Sequence, residues 1–271
     1  MLSLQEEFNI KINIYEKYTE ENEDIVSLNQ TIEAYQKMDE EIEKIKDLDL
    51  SPFEQFLYIH DFAANKIYNE EDDWRDVSKS RSFVNTMTSD YIVCAGYAHI
   101  VKAFCDRLGI ECLYLEGYPE KENPAAKQED GHAANIIKIV DEKYGIDGYY
   151  FCDACWDSKK FPEEEFKRYF FAALPIQDID NIEKLVSARF FAHEIKKLDI
   201  DKESKPISIT TFKKALISLY SKIKKDDFDK QQVYNDLQFS IRRSFTGNKM
   251  PVENDFTRIY LEQRQYKQFT F

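Results

Sequence analysis

The sequence predicts an α+β fold in which one helix packs on an antiparallel sheet, with helical additions on both sides. Apolar residues recur at helical spacing over Cys94–Leu108, and three strand-like segments follow, at 111–118, 132–140 and 149–153. Six of the seven glycines fall between Gly96 and Gly148, where a chain that turns from strand to strand needs them. A helix followed by an antiparallel meander is typical of the α+β class.

The region before the core, residues 1–50, is predicted to contain a strand and a helix. Residues 8–14 alternate between apolar and polar side chains, as in a strand, and residues 24–48 form an acidic helix with an apolar stripe. Such a stripe packs on the domain more often than on a partner, so we expect both elements to pack on the core.

The core, residues 51–175, opens with a well-marked helix. Ser51 is a good N-cap, and Pro52 suits the first helical position. His60 shares the apolar face of this helix, which predicts a core or rim histidine rather than a catalytic one. Residues 70–90 are polar and irregular, and they predict a surface loop that leads to Cys94.

Beyond the core, residues 176–271 are predicted to form a helical C-terminal region. Helical patterns cover four segments: 180–198, 211–224, 231–245 and 254–266. Another helix is predicted to begin at residues 161–166, still within the core, where a proline and acidic residues suit a first turn. The C-terminal region could select a substrate, bind a partner or simply cap the core, and the sequence leaves these alternatives open.

Composition excludes several classes of partner and compartment. The chain of 271 residues has 51 acidic and 37 basic side chains, for a formal net charge of −14, so nucleic acid and anionic membranes are poor candidates. No apolar run is long enough for a transmembrane helix, and no signal peptide is recognisable. Five cysteines in a chain of this length do not indicate a disulfide framework. We therefore expect a cytoplasmic protein, with export lacking a cleaved signal as the alternative; the oligomeric state is not predicted.

Three short motifs carry chemically useful side chains. Residues 94–98 read Cys-Ala-Gly-Tyr-Ala, residues 131–135 read Gly-His-Ala-Ala-Asn, and residues 153–157 read Asp-Ala-Cys-Trp-Asp. A thiol is mostly protonated at neutral pH, so a nucleophilic cysteine needs a base or a positive field. Cys94 is predicted at a helix N-terminus, where the dipole favours a thiolate. His132 is a suitable base, and Asp153 can orient its second ring nitrogen.

These motifs resemble the transglutaminase-like superfamily of cysteine enzymes, over residues 51–172. The resemblance implies a papain-like core and a Cys94-His132-Asp153 catalytic triad. We expect no cofactor, and no metal because the sequence has no evident cluster of calcium ligands. Two positions depart from the family pattern. Ala134 stands where the family often has Trp, which can reshape the substrate cleft, and Cys155 stands where it often has Thr, which we expect to be a packing change.

The resemblance implies an acyl-transfer enzyme that attacks a peptide or glutamine carboxamide through a thioester. Proteolysis, deamidation and transamidation use the same triad, and we favour hydrolysis because no acceptor tunnel is recognisable. A protein or peptide substrate is the expected partner. The alternative is a transglutaminase-like binding or scaffold module that has lost turnover.

The remaining candidates have weaker support. Asn85 or Tyr91 could supply a side-chain donor to an oxyanion hole, although loop packing is the simpler interpretation of each. Cys152 and Cys155 form a CxxC, but a zinc site needs about four ligands and no second CxxC exists. The other residues considered are predicted to be structural: Cys105, Cys112, His99, His193, Trp156, Asp157 and, as a residue that holds the cleft backbone, Asn135.

Overall fold

The structure is a computed structural model, and it describes residues 28–69, 81–119, 131–159, 169, 171–185, 188–190, 195, 198 and 203–224. Several predicted elements therefore lie outside the described residues: the strand at 8–14, the helix starting at 161–166, and the helices at 231–245 and 254–266. No helix in the described part of the chain is long and apolar enough to cross a membrane.

Three helices precede the site: two that the sequence predicts, and a short one within residues 70–90, where the prediction of a surface loop is wrong over residues 83–88. Helix α1 is Leu28–Asp47 and helix α2 is Pro52–Ala64. A short helix α3, Phe83–Thr88, begins at the Ser82 N-cap, whose side chain accepts from Asn85 N. The apolar stripe of α1 is buried in the core, which explains why an acidic, otherwise solvated helix folds at this place.

A small parallel pair of strands lies directly before the central helix. Strand β1 (Ile67–Tyr68) pairs with strand β2 (Tyr91–Ile92), and Asn69 N donates to Ile92 O at 3.0 Å. Helix α4 then runs over Cys94–Leu108 and ends at Gly109, which has the left-handed φ of 72° expected of a glycine cap.

The main sheet is the antiparallel meander that the sequence predicts, with two additional edge strands. Its central strands are β3 (Cys112–Pro119), β4 (His132–Asp141) and β5 (Ile146–Cys152). Strand β6 (Leu174–Pro175) lies beside β5, and strand β7 (Ala188–Phe190) lies beside β3, giving the order β6-β5-β4-β3-β7.

Each face of this sheet is covered by an apolar cluster. The larger cluster includes residues of helices α1, α2, α3 and α4. Helix α6, Ile209–Lys224, contributes Phe212, Leu216 and Leu219 to it. The smaller cluster lies on the other face and includes Leu115, Ile136, Phe151, Phe171 and Phe190. Burial on both faces fixes the register, because a slip of one residue would exchange the two sets of side chains. The mixed helix-and-sheet fold class is confirmed.

The predicted helix over 180–198 is wrong at residues 188–190. Helix α5 covers Ile179–Leu185, and Ala188–Phe190 form the edge strand β7. Phe190 pairs with Gly117 in the sheet, and its backbone N–H donates to Glu183 at 2.9 Å. A free edge on β3 offers backbone hydrogen bonds to this segment, and that long-range pairing overrides the local helical pattern.

A buried carboxylate joins α2 to the turn after β4. Glu54 has no exposed side-chain surface, and its oxygens accept from Lys143 Nζ at 2.5 Å, Tyr144 OH at 2.6 Å and Lys222 Nζ at 3.1 Å. Asp141 caps the same helix from the end of β4, accepting from Ser51 Oγ at 2.7 Å. Burial opposes the charge on Glu54, but these donors outweigh it and lower its pKa from 4.5 to about 2.

We expect Glu54→Gln to lower the free energy of unfolding by about 2 kcal/mol at pH 7, because two lysines lose a buried anionic partner. A depressed pKa stabilises the fold above the unfolded pKa of 4.5, and the contribution is lost as pH falls through about 2. The difference between variant and wild type should therefore narrow at pH 3. Urea unfolding at both pH values measures it, with the exposed Glu43→Gln as the matched control. An equal difference at the two pH values would contradict the ionised state of Glu54.

Candidate active site

Cys94 is the first residue of α4, as the sequence predicts. Its N-cap, Val93, supplies no side-chain hydrogen bond, and the first N–H groups of a helix lack carbonyl partners within the helix. The Cys94 side chain is partly exposed, and its Sγ lies 3.7 Å from Gly131 O, directly before the predicted base. The thiol therefore sits where a helix N-terminus meets the start of a strand.

His132 and Asp153 meet at one end of the sheet. His132 is the first residue of β4 and Asp153 directly follows the last residue of β5, and these strands are antiparallel. Asn135 pairs with Cys152, so one further step of the register places Asp153 opposite Ala134, two residues from His132. Residues at this offset are diagonal neighbours on one face of a sheet. His132 Nε2 lies 2.5 Å from Asp153 Oδ2.

This contact decides which ring nitrogen is available to the thiol. Because Nε2 is engaged by the carboxylate, Nδ1 is the nitrogen left for Cys94, which is the arrangement that a base oriented by an acid requires. The His132 side chain is 13% exposed and that of Asp153 is 0% exposed. The pair is thus shielded from water, and its electrostatic interactions are correspondingly strong.

The charges of the site favour a thiolate beside an imidazolium. Burial alone lowers the pKa of His132, but Asp153 and the neighbouring thiol raise it to about 10. Burial alone raises the pKa of Cys94, and the hydrogen bond and charge of His132 outweigh that effect and lower it. The two shifts have opposite signs, as expected of groups that exchange a proton and then attract each other.

Asp153 is held rigidly by backbone contacts. Its Oδ1 accepts from Trp156 N at 3.1 Å, and its own N–H donates to Phe171 O at 3.0 Å. The Trp156 ring packs against Phe171 with a centroid distance of 6.0 Å. Trp156 therefore contributes a structural contact beside the site, as predicted, and its backbone also orients the acid.

Asn135 ties the nucleophile's helix to the sheet. The side chain is buried, and Nδ2 donates to Ala98 O of α4 at 3.1 Å. This bond fixes α4 against β4, three residues after His132. It agrees with the prediction that Asn135 holds the backbone of the cleft.

Tyr114 is a neighbour of the site that the sequence analysis missed. It lies opposite Asn135 in the register, and its ring stacks on His99 at a centroid distance of 4.7 Å. Burial, then the charges of Glu116 and Cys94, raise the pKa of its hydroxyl. The alternation of residues in the predicted strand 111–118 was the signal that could have placed Tyr114 on the same face as Asn135.

The hydrogen bonds of the two oxyanion candidates, Asn85 and Tyr91, connect them to neighbouring serines and not to the thiol. Asn85 lies in α3, where its backbone N–H donates to Ser82 Oγ at 3.3 Å. Tyr91 is 50% exposed, and its backbone N–H donates to Ser89 Oγ at 3.1 Å. A side-chain oxyanion role for either residue stays a prediction.

The remaining cysteines and histidines have mainly structural surroundings. Cys105, Cys112, Cys152 and Cys155 are buried and reduced. Among the described residues, no group of three or more His, Cys, Asp or Glu side chains is arranged to hold a metal ion. His99 contacts Arg81 O at 2.8 Å, and His193 lies outside the described residues.

The two departures from the family pattern are both buried. Ala134 is 1% exposed and belongs to the cluster of Leu115 and Phe190 on the second face of the sheet. Cys155 is 7% exposed and belongs to the larger cluster, in agreement with a packing role. Ala134 thus contributes to the core, and any effect on the cleft would be transmitted through packing.

His60 is a buried histidine, as predicted, and Asp157 pairs with it rather than with His132. His60 Nε2 lies 3.1 Å from Asp157 Oδ2, so Asp157 is not a second orienting acid for the site. Asp157 therefore has a structural role, as predicted, and its contact with α2 joins residues 97 positions apart.

Comparisons with known proteins agree with this fold. Residues 40–153 match the family model described as the transglutaminase-like superfamily, and the matched segment includes Cys94, His132 and Asp153. A search of curated proteins found no match.

Two solved structures are similar over part of the chain. One is a provisionally assigned cysteine protease from Cytophaga hutchinsonii, at 26% identity and a TM-score of 0.26, covering 38% of this chain and 31% of that one. The other is a TGase, at 12% identity and a TM-score of 0.33, covering 55% of this chain and 38% of that one. The chain thus spans less than two fifths of the length of either protein. Residues 40–153 of this chain, which include the three candidate residues, are thus similar to the transglutaminase-like superfamily.

Proposed function

We propose that this protein is a cysteine-dependent acyl-transfer enzyme that acts on peptide or glutamine carboxamide bonds. The observation that carries the proposal is the 2.5 Å contact between His132 Nε2 and Asp153 Oδ2, beside a thiol whose pKa His132 lowers. A histidine oriented by a buried acid next to a cysteine is the arrangement that nucleophilic catalysis by a thiol requires.

In the proposed reaction, the Cys94 thiolate attacks the carbonyl carbon of the substrate and forms a tetrahedral intermediate. His132, protonated in the resting pair, gives its proton to the leaving nitrogen, and ammonia or an amine departs as the thioester forms. His132 then removes a proton from the acceptor, which attacks the thioester and releases Cys94. Asp153 keeps the imidazole oriented throughout.

The position of Cys94 at the start of α4 favours the thiolate and also favours the negative charge on the oxygen of the tetrahedral intermediate. The N–H groups of Gly96 and Tyr97 donate to Val93 O, so the two N–H groups that precede them, at the very start of α4, are the ones that can donate to the negative oxygen of the intermediate. The helix dipole acts in the same direction, because its positive end is at Cys94. These effects are built into the backbone and require no additional side chain.

We propose water as the acyl acceptor and therefore hydrolysis as the main reaction. Cys94 is partly exposed at the surface of the described core, so water can reach the thioester without a channel. Transamidation would require an amine to compete with water at the same carbon. The substrate is proposed to be a protein or peptide in the cytoplasm.

Wild-type protein should release ammonia from a glutamine-containing peptide, or cleave the peptide, and Cys94→Ala should abolish either product because the nucleophile is gone. Mass spectrometry of the peptide distinguishes the routes: deamidation, cleavage, or incorporation of an added primary amine. Cys105→Ala, which removes a buried thiol of the same helix, is the matched control and should retain activity. Equal turnover by wild type and Cys94→Ala would refute the proposal.

Asp153→Asn should lower kcat at pH 7 by about 10²–10⁴-fold, because the amide no longer holds the correct tautomer and stabilises an imidazolium poorly. Asp147→Asn, on the exposed side of β5, is the control that should leave kcat unchanged. A variant that folds like wild type and keeps full kcat would show that Asp153 does not orient the base.

The pH profile of kcat/KM should have its alkaline limb near pH 10 in wild type, because the resting pair is lost when His132 loses its proton at about 10. Asp153→Asn removes the charge that raises this pKa, so the limb should move to lower pH. Steady-state kinetics from pH 6 to about 10.5 measure the alkaline limb of wild type and that of the variant. An unmoved limb in the variant would mean that another group controls the decline.

A further inference from the structure

A second His–Asp pair is buried behind the candidate site. His60 Nε2 lies 3.1 Å from Asp157 Oδ2, and His60 Nδ1 lies 3.4 Å from Asp61 Oδ1. The side chains of His60 and Asp157 are 0% and 1% exposed. None of these groups takes part in the proposed reaction.

The Asp157 carboxylate is connected to the backbone of Asp153 through a single residue. Asp157 Oδ2 accepts from Phe171 N at 2.8 Å, and Phe171 O accepts from Asp153 N at 3.0 Å. Asp157 N also donates to Asp153 O at 3.3 Å. Two sets of hydrogen bonds thus hold the turn that begins at Asp153: one within the turn, and one through the backbone of Phe171. The Asp157 carboxylate accepts a hydrogen bond in the second set.

The opposite end of the network is fixed to two helices. Asp61 of α2 accepts from Tyr169 OH at 2.9 Å and from Tyr220 OH of α6. The two hydroxyls are 3.1 Å apart, and the Tyr169 ring lies 5.5 Å from the His60 ring. In the described part of the chain, two carboxylates and two tyrosines thus surround His60.

We infer that His60 and Asp157 are positioning residues for the candidate active site: they fix Phe171, and through its backbone they hold Asp153 where it orients His132. The inference rests on the proposed function, since a position for Asp153 matters only if Asp153 orients the base. It assigns to the second pair a purpose that packing alone does not explain, because an apolar set of equal volume can stabilise a core equally well.

The protonation of His60 agrees with this role. Burial alone lowers the pKa of His60, but its bonds to Asp157 and Asp61 raise it to about 9. A doubly protonated ring donates to both carboxylates at once and offsets one of their two negative charges. Burial already raises the pKa of Asp157. Without a protonated His60, burial would favour the neutral form of Asp157, and Phe171 N would lose its carboxylate acceptor.

Two substitutions at one position separate positioning from packing. In Gln the amide nitrogen stands about where Nε2 of His stands, and in Asn it stands about where Nδ1 stands. His60→Gln therefore keeps a donor toward Asp157, whereas His60→Asn keeps a donor only toward Asp61. Both variants remove the ring and its charge, so they carry a similar cost to the fold.

The readout is the rate of Cys94 alkylation by iodoacetamide from pH 5 to 9, resolved by mass spectrometry, together with the melting temperature. We expect His60→Asn and Asp157→Asn to lower the rate at pH 7 by about three- to tenfold, because a displaced Asp153 supports the imidazolium less well. His60→Gln should restore most of the wild-type rate. Tyr220→Phe removes a hydroxyl from Asp61 without touching the turn, so it should lower the melting temperature and leave the rate unchanged.

The inference is overturned if His60→Asn and Asp157→Asn melt earlier but alkylate at the wild-type rate, or if His60→Gln is no better than His60→Asn. The comparison of the two His60 variants carries the test if Asp157→Asn does not fold. Wild-type Cys94 that is unreactive below pH 8 would remove the proposed function itself, and the inference with it. The wild-type profile therefore distinguishes the two failures.

Discussion

The contact between His132 and Asp153 is the interaction on which the rest of the site depends, and it is a consequence of strand register. The two residues stand at the beginning of β4 and just beyond the end of β5, so they meet only while Asn135 pairs with Cys152. Apolar clusters on both faces of the sheet fix that register. The bond from Asn135 to Ala98 then sets the nucleophile's helix against the same strand. The packing of the core therefore determines the geometry of the site, because both depend on the same strand register.

Buried charge is the second theme of this structure. Glu54, Asp153 and Asp157 are carboxylates with almost no exposed surface, and each contacts a lysine or a histidine. A buried ion without a partner costs several kcal/mol, so these pairs form only when distant segments are assembled correctly. The pairs at Glu54 and Asp157 connect α2 to the sheet and to the turn after β5. The pair at Asp153 is the one that lies beside a reactive group.

Local patterns in the sequence were sufficient for the central elements. Helical periodicity predicted α4, and strand-like segments predicted the three strands that follow, because these signals come from residues close together in the chain. The three motifs predicted that Cys94, His132 and Asp153 form one candidate site. The edge strand Ala188–Phe190 and the His60–Asp157 pair could not be predicted in this way. Both depend on partners distant in sequence, and the edge strand replaced a locally favoured helix.

The most direct test of the central claim is whether His132 activates Cys94. Site-resolved alkylation of Cys94 would be followed against pH in wild type and in His132→Ala, with His99→Ala as the control because that histidine lies on α4 and contacts Arg81 instead. A thiolate–imidazolium pair predicts that wild-type Cys94 reacts well below pH 8, ahead of the four buried cysteines, and that only His132→Ala moves the reaction to higher pH. An inert Cys94, or one that is indifferent to His132→Ala, would contradict the proposed chemistry.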